Sequence, residues 1–263
     1  MKQSRAMAAL TARFGRLFRR PDRVRLAPRK APLIGTDLLN EDDVLRVSRS
    51  GDPDADTVIL CFTGLQQRMG GIGPEEFVAS AQLEGASAIF VTDKTRSWFN
   101  KLEAERVVEL LAPHVAGRRI HTLGNSMGGF GAIWITRYLP VSTTLAFAPQ
   151  FSVHPGIVPE ETRWPAARAA ISDWRYPSLQ DHFVSGTRYV TISGKTGDNV
   201  QWTRLPALPN ARHYIVADAD HGVAAMLKHR GVLREVIAAA FADVPDLDAV
   251  LAPFAILRDV GNE

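Results

Sequence analysis

The chain has 263 residues, 46% of them hydrophobic, with a net charge of +3. That is long enough for one sizeable core, and no apolar run reaches the ~18 residues of a membrane span. A single cysteine, Cys61, excludes an internal disulfide and fits a reducing, cytoplasmic setting.

The charge is unevenly placed. Residues 1–30 hold ten Lys or Arg and one acid, Asp22, for a net of +9, which leaves −6 for the remainder. The basic character therefore belongs to an arm, and the body is not a nucleic-acid binder. Within the arm, Ala6, Met7, Leu10, Phe14, Leu17 and Phe18 recur at helical spacing between Arg13, Arg16, Arg19 and Arg20. An amphipathic helix on an anionic membrane or partner, a solvated tail, and a helix packed on its own domain all suit that pattern. Pro21, Pro28 and Pro32 mark a linker. The expected division is an arm and linker over 1–40 and a domain over 41–263.

Val44 to Arg49 alternates apolar and polar, as a half-exposed strand does. Thr57 to Phe62 is continuously apolar, as a buried central strand is, and Cys61 inside it reads as packing. Gly70-Gly71-Ile72-Gly73 lacks the Gly-Lys-Ser/Thr ending of a phosphate loop, so no nucleotide cofactor is expected there. Pro74-Glu75-Glu76-Phe77 has the composition of a helix start. Ser87 to Thr92 is the next strand. Trp98 follows at its carboxyl end, where ligands bind in open α/β sheets, and either lines a substrate pocket or covers the sheet's end. Asn100 is placed to cap a helix carrying Val107, Val108, Leu110 and Leu111.

Arg118 to Thr122 reads as a strand and Ala132 to Leu139 as a helix. Between them lies Gly124-Asn125-Ser126-Met127-Gly128-Gly129-Phe130-Gly131. A strand, a tight Gly-x-Ser-x-Gly turn and a helix make the context of a nucleophile elbow. The strained turn leaves no room for side chains two residues from the serine, and Gly124 and Gly128 meet that demand. The helix start aims free N–H groups at the place where an oxyanion would form.

Thr143 to Ala148 continues the strand series. From Pro149 to Gly186 regularity breaks at Pro155, Pro159, Pro165 and Pro177, with Trp164 and Trp174 standing out. This segment, taken as 149–187, is expected to be a small lid, with Trp164 as a substrate contact; a helix and loop packed on the sheet is the other reading. His154 and His182 within it have no metal-ligand spacing, and no metal is expected. Arg188 to Ser193 and Arg212 to Ala217 are the last strands. A helical stretch runs from Val223 to Phe241 with a weak point at Gly231, and a further short helix is expected after Pro245.

The elbow residues Gly124 to Ala132 resemble those of the α/β-hydrolase superfamily, most of all esterase D-type and related serine esterases. The resemblance extends with gaps from about Val44 to about Val244. It implies a mostly parallel sheet flanked by helices, with two strands before Thr57–Phe62; only one is evident here, which suggests a shortened edge. It also implies an oxyanion site from the backbone N–H groups of Leu65 and Met127, although Thr63 stands where related enzymes often carry His.

Serine needs a base at neutral pH. Ser126, Asp198 and His221 occur in the order expected for this fold, each just past a strand's carboxyl end. His221 would take the serine proton and Asp198 would orient the imidazole, with Asp218 and Asp220 as alternative acids. The expected activity is serine hydrolysis of an ester, thioester or similar small acyl compound through an acyl-enzyme. Acyl transfer to an alcohol uses the same machinery, and a silent fold used for binding is the competing class.

Overall fold

The computed structural model describes residues 35–65, 77, 79–81, 83, 85–243 and 246–254. The basic arm, the Gly70–Gly73 loop and the helix start at Pro74 lie outside these or at their margin, as does the chain after 254. The chain divides into a unit Met1–Leu33 and a unit Ile34–Glu263, and the second contains every described element.

Eight strands form one sheet among the described residues: β1 (Asp37–Glu41), β2 (Leu45–Ser50), β3 (Thr57–Phe62), β4 (Ala86–Asp93), β5 (Arg119–Asn125), β6 (Val141–Phe147), β7 (Arg188–Gly194) and β8 (Ala211–Val216). Their order is β1-β2-β4-β3-β5-β6-β7-β8. β1 and β2 pair antiparallel, β2 runs antiparallel to β4, and all later neighbours are parallel.

The central strands follow from their composition. In β3, Val58, Leu60 and Phe62 face one buried cluster while Ile59 and Cys61 face the other. A strand buried on both faces cannot alternate, so it reads as an unbroken apolar run. Each such side chain contributes about 1.5–3 kcal/mol on burial. On the first face pack α1 (Ala104–Val115) and α2 (Met127–Trp134). On the second lie α5 (Val223–His229), α6 (Leu233–Phe241) and α7 (Leu247–Leu251). Two short helices, α3 (Pro165–Ala169) and α4 (Asn199–Trp202), sit in the connections after β6 and β7.

The structure departs from the sequence reading in three places. The sheet's first edge is not shortened: β1 supplies a second strand before β3 and crosses the expected 40/41 boundary. It is short and mostly exposed, with only Leu39 packing on the core, and Arg49–Asp37 and Lys94–Glu41 ion pairs hold it beside its neighbours, so its pattern carries little core signal. Asn100 does not cap α1, whose N-cap position is Glu103. Its amide instead donates to the Ser97 and Trp98 carbonyls, and its Oδ1 accepts the Tyr176 N–H. The helical stretch 223–241 is two helices, with Gly231 at φ +76° between them.

The 149–187 segment joins β6 to β7 and contains only the short α3 among regular elements. It packs inward: Phe151, Val153, Ile171, Tyr176 and Leu179 are buried in the core cluster that also contains α1 and α2.

Candidate active site

Leu65, Trp98, Ser126, Met127, Asp198 and His221 all follow the carboxyl ends of parallel strands, while Trp164 lies in the connection between β6 and β7. β5 runs into α2 through Ser126, whose backbone adopts φ 59°, ψ −122°. A non-glycine residue holds this strained geometry only when its surroundings enforce it. Ser126 N–H donates to the Phe147 carbonyl at 2.8 Å, and its own carbonyl accepts the Phe130 N–H. A Cβ on Gly124 would overlap the Gly128 carbonyl, and one on Gly128 would overlap the Phe62 carbonyl. The turn therefore closes only with glycine at both positions, and the end of β3 packs directly on the elbow. Thr63 follows β3, buried, with its hydroxyl 2.8 Å from that of Thr92. Leu65 and Met127 are both buried beside this junction.

The loops after β7 and β8 are brought together by backbone. Gly194 lies against the Asp220 carbonyl, where a side chain would collide. Lys195 N–H donates to the Val216 carbonyl and Thr196 N–H to that of Ala219. The pairing sets His221 beside both other residues. Its Nε2 is 2.9 Å from Ser126 Oγ and its Nδ1 is 2.8 Å from Asp198 Oδ1. An ionised carboxylate only accepts, so Nδ1 carries the proton and Nε2 accepts the serine hydroxyl. Asp198 is 2% exposed, whereas Asp218 and Asp220 are exposed. Asp220 spends its Oδ1 on the Gly222 N–H.

Three further residues, not foreseen from sequence, shape this site. Arg163 Nη1 donates to the same Asp198 Oδ1 at 2.8 Å, while Nε and Nη2 hold Glu161. Burial works to raise the Glu161 carboxyl, but hydrogen bonds from Arg163 and Gln201 outweigh it and hold it below its usual pKa. Burial likewise opposes the Arg163 charge, and the two carboxylates more than restore it. The guanidinium lies 4.5 Å from the Trp164 ring, which in turn sits 5.3 Å from the His221 ring and 5.7 Å from Trp98. Gln150, fully buried after β6, donates from Nε2 to Ser126 Oγ at 2.9 Å. The signals that could have found them are slight: a polar residue just past β6's carboxyl end, and an acid two residues before an arginine.

Trp98 is fully buried, with its indole N–H given to Gln150 Oε1 at 3.0 Å, so it meets Ser126 through Gln150. His182 and His213 are structural: each is buried, the first bonded to the Trp134 carbonyl, the second to Thr191 and the Pro206 carbonyl. Among the described residues no three His, Cys, Asp or Glu converge as metal ligands, and no helix is long and apolar enough to cross a membrane.

Sheet order, one reversed strand near the edge and a serine elbow after β5 define the α/β-hydrolase fold, and this chain has it. Among solved structures it overlays on a proline iminopeptidase-related protein of Thermus thermophilus at TM-score 0.51 and 15% identity, covering 84% of this chain and 99% of that one. The capsule O-acetyltransferase of Neisseria meningitidis serogroup A matches at 0.50 and 15% identity, over 75% and 92%. An α/β serine hydrolase without lid from Xanthomonas campestris matches at 0.48 and 15% identity, over 82% and 99%. Comparison with protein-family profiles and with curated proteins finds no match.

Proposed function

We propose that the chain is a serine hydrolase that cleaves an ester, thioester or similar small acyl compound through an acyl-enzyme. The observation that carries this reading is the hydrogen-bonded line Ser126 Oγ–His221 Nε2, His221 Nδ1–Asp198 Oδ1, at 2.9 and 2.8 Å, on a strained elbow. In the proposed reaction Ser126 Oγ attacks the acyl carbon as its proton passes to His221 Nε2, and a carbon–oxygen bond forms. The backbone N–H groups of Leu65 and Met127 receive the oxyanion. His221 then returns the proton to the leaving group as its bond to the acyl carbon breaks. Water repeats the sequence on the acyl-enzyme, giving up its proton to His221 and restoring Ser126.

Acyl transfer to an alcohol shares every step up to the acyl-enzyme. The fold neighbour that is a capsule O-acetyltransferase is what keeps that second reading in view. Both require a reactive Ser126, and a silent binding fold does not. Fluorophosphonate should label the wild type at Ser126, and Ser126→Ala should abolish labelling and lower esterase turnover by about 10³-fold or more with its melting temperature unchanged. An unlabelled wild type, or a labelled Ser126→Ala, refutes the proposal.

A further inference from the structure

Ser126 Oγ has two neighbours: His221 Nε2, which takes its proton, and Gln150 Nε2, which donates to it at 2.9 Å. The orientation of the Gln150 amide decides whether that second contact helps or hinders. Trp98 settles it, because an indole N–H can only donate. With Trp98 Nε1 3.0 Å from the Gln150 oxygen, the amide nitrogen is left facing Ser126. Were the amide reversed, its oxygen would compete with His221 for the serine proton.

The placement of Trp98 is itself enforced. Trp98 and Phe99 have φ values of 50° and 63°, positive for bulky residues. Asp93, 2% exposed at the end of β4, gathers the loop around its carboxylate. It accepts the N–H groups of Thr95, Ser97 and Phe99 and the hydroxyls of Thr95 and Ser97, between 2.5 and 3.0 Å. On the other side, Ala148 at φ 41° turns the chain after β6, and Pro149 packs on Gly129 of the elbow, which delivers Gln150 to Ser126. Strain on two loops thus converges on one amide.

Resting on the acyl-enzyme reading above, we propose that Gln150 is a catalytic hydrogen-bond donor to the nucleophile's oxygen, locked in its donating orientation by Trp98. As the Ser126 proton moves to His221, the oxygen gains charge, and a hydrogen bond to a charged acceptor is roughly twice as strong as one to a neutral acceptor. The bond is therefore stronger in the transition state than in the resting enzyme, which is the condition for lowering a barrier. It acts again in deacylation, when Oγ leaves the acyl carbon and recovers its proton from His221.

The test measures the rate of fluorophosphonate labelling, kcat and KM on a soluble ester, and melting temperature in four variants. Gln150→Leu keeps the side chain's size without a donor and should label about 10²-fold more slowly, with kcat falling and KM held. Gln150→Glu, assayed at alkaline pH where its carboxyl is ionised, presents only an acceptor to the serine proton and should be at least as slow. Trp98→Phe releases the amide orientation, which should cost about fivefold, in line with a hydrogen bond of about 1 kcal/mol. Combining Gln150→Leu with Trp98→Phe should be no slower than Gln150→Leu alone, because the tryptophan acts through the glutamine. If Gln150→Leu does not fold, Gln150→Glu and Trp98→Phe decide. Folded variants labelled within twofold of a reactive wild type overturn this proposal alone, whereas an unlabelled wild type removes it together with the nucleophile reading.

Discussion

Replacing Asp198 by Asn tests the triad and the arginine beside it at once. In the native site one oxygen, Asp198 Oδ1, accepts from both His221 Nδ1 and Arg163 Nη1, each at 2.8 Å. An asparagine oxygen can accept the same two donors, so the geometry is retained while the negative charge is lost. Two nitrogens at 2.8 Å from one oxygen are at most twice that, 5.6 Å, apart. Once His221 is protonated in the transition state, two positive charges face each other across that gap. At an effective dielectric of about 20 the repulsion is about 3 kcal/mol. Arg163 is 28% exposed, so solvent reduces it to about 1–2 kcal/mol. Losing the carboxylate that fixes the imidazole tautomer and balances its charge should lower kcat/KM by about 10³–10⁴-fold, of which the unbalanced arginine accounts for about tenfold. Adding Arg163→Met should recover about tenfold of that loss by removing the unbalanced cation. Arg163→Met alone leaves two buried carboxylates, Asp198 and Glu161, short of a partner and should lower stability by about 2 kcal/mol, with turnover retained within tenfold. The assay is kcat/KM on a soluble chromogenic ester across all three variants, with urea unfolding as control. A double variant no faster than Asp198→Asn refutes the electrostatic argument. Losses at Asp218→Asn or Asp220→Asn equal to that at Asp198 refute the assignment of the acid.

Gly124→Ala should cost about 1–3 kcal/mol of stability and most phosphonate labelling, since its Cβ overlaps the Gly128 carbonyl; unchanged melting and labelling would refute the packing argument. His121, stacked on Phe241 at 4.6 Å, has its pKa lowered to about 4 by burial and then by Arg119 and Arg188. The folded state then binds fewer protons than the unfolded chain, so stability is lost as pH falls from about 6.5 to about 4. His121→Phe should shrink the stability difference between pH 7.5 and 4.5 by about 2 kcal/mol in urea titrations, and an unchanged difference would refute it. Deleting residues 1–30 should leave melting and ester turnover intact and remove salt-dependent binding to anionic vesicles; a lower melting temperature would show instead that the arm supports the domain.

The central strands were legible because burial on both faces writes itself as continuous apolar sequence, as in Thr57 to Phe62. β1 was not, because a five-residue edge strand with an acid at each end and no alternation is specified by its partners Arg49 and Lys94 rather than by its own pattern. Asn100 shows the same limit at one residue. Its composition suits a helix cap, but the strained loop before it and Tyr176, 76 residues later, offered its amide better partners.

At the site, the strained turn at Ser126 was readable because its steric demands are local: Gly124 and Gly128 stand two residues either side of it. The choice among Asp198, Asp218 and Asp220 was not local. It depends on the close approach of the Asp220 backbone to Gly194 at the end of β7, after which the His221 side chain, not those of its acidic neighbours, reaches Asp198 and Ser126. Gln150 and Arg163 lay further from reach, since no motif or chain-order rule ties a polar residue after β6 to Ser126, or an arginine in the irregular 149–187 segment to Asp198. Arg163 has a consequence that sequence order alone would not suggest. It belongs to the 149–187 segment, yet it shares the oxygen that orients the base. Any rearrangement that draws Arg163 away from Asp198 changes the charge beside His221, so under the proposed acyl-enzyme mechanism the position of that segment and proton transfer from Ser126 are coupled through one carboxylate oxygen.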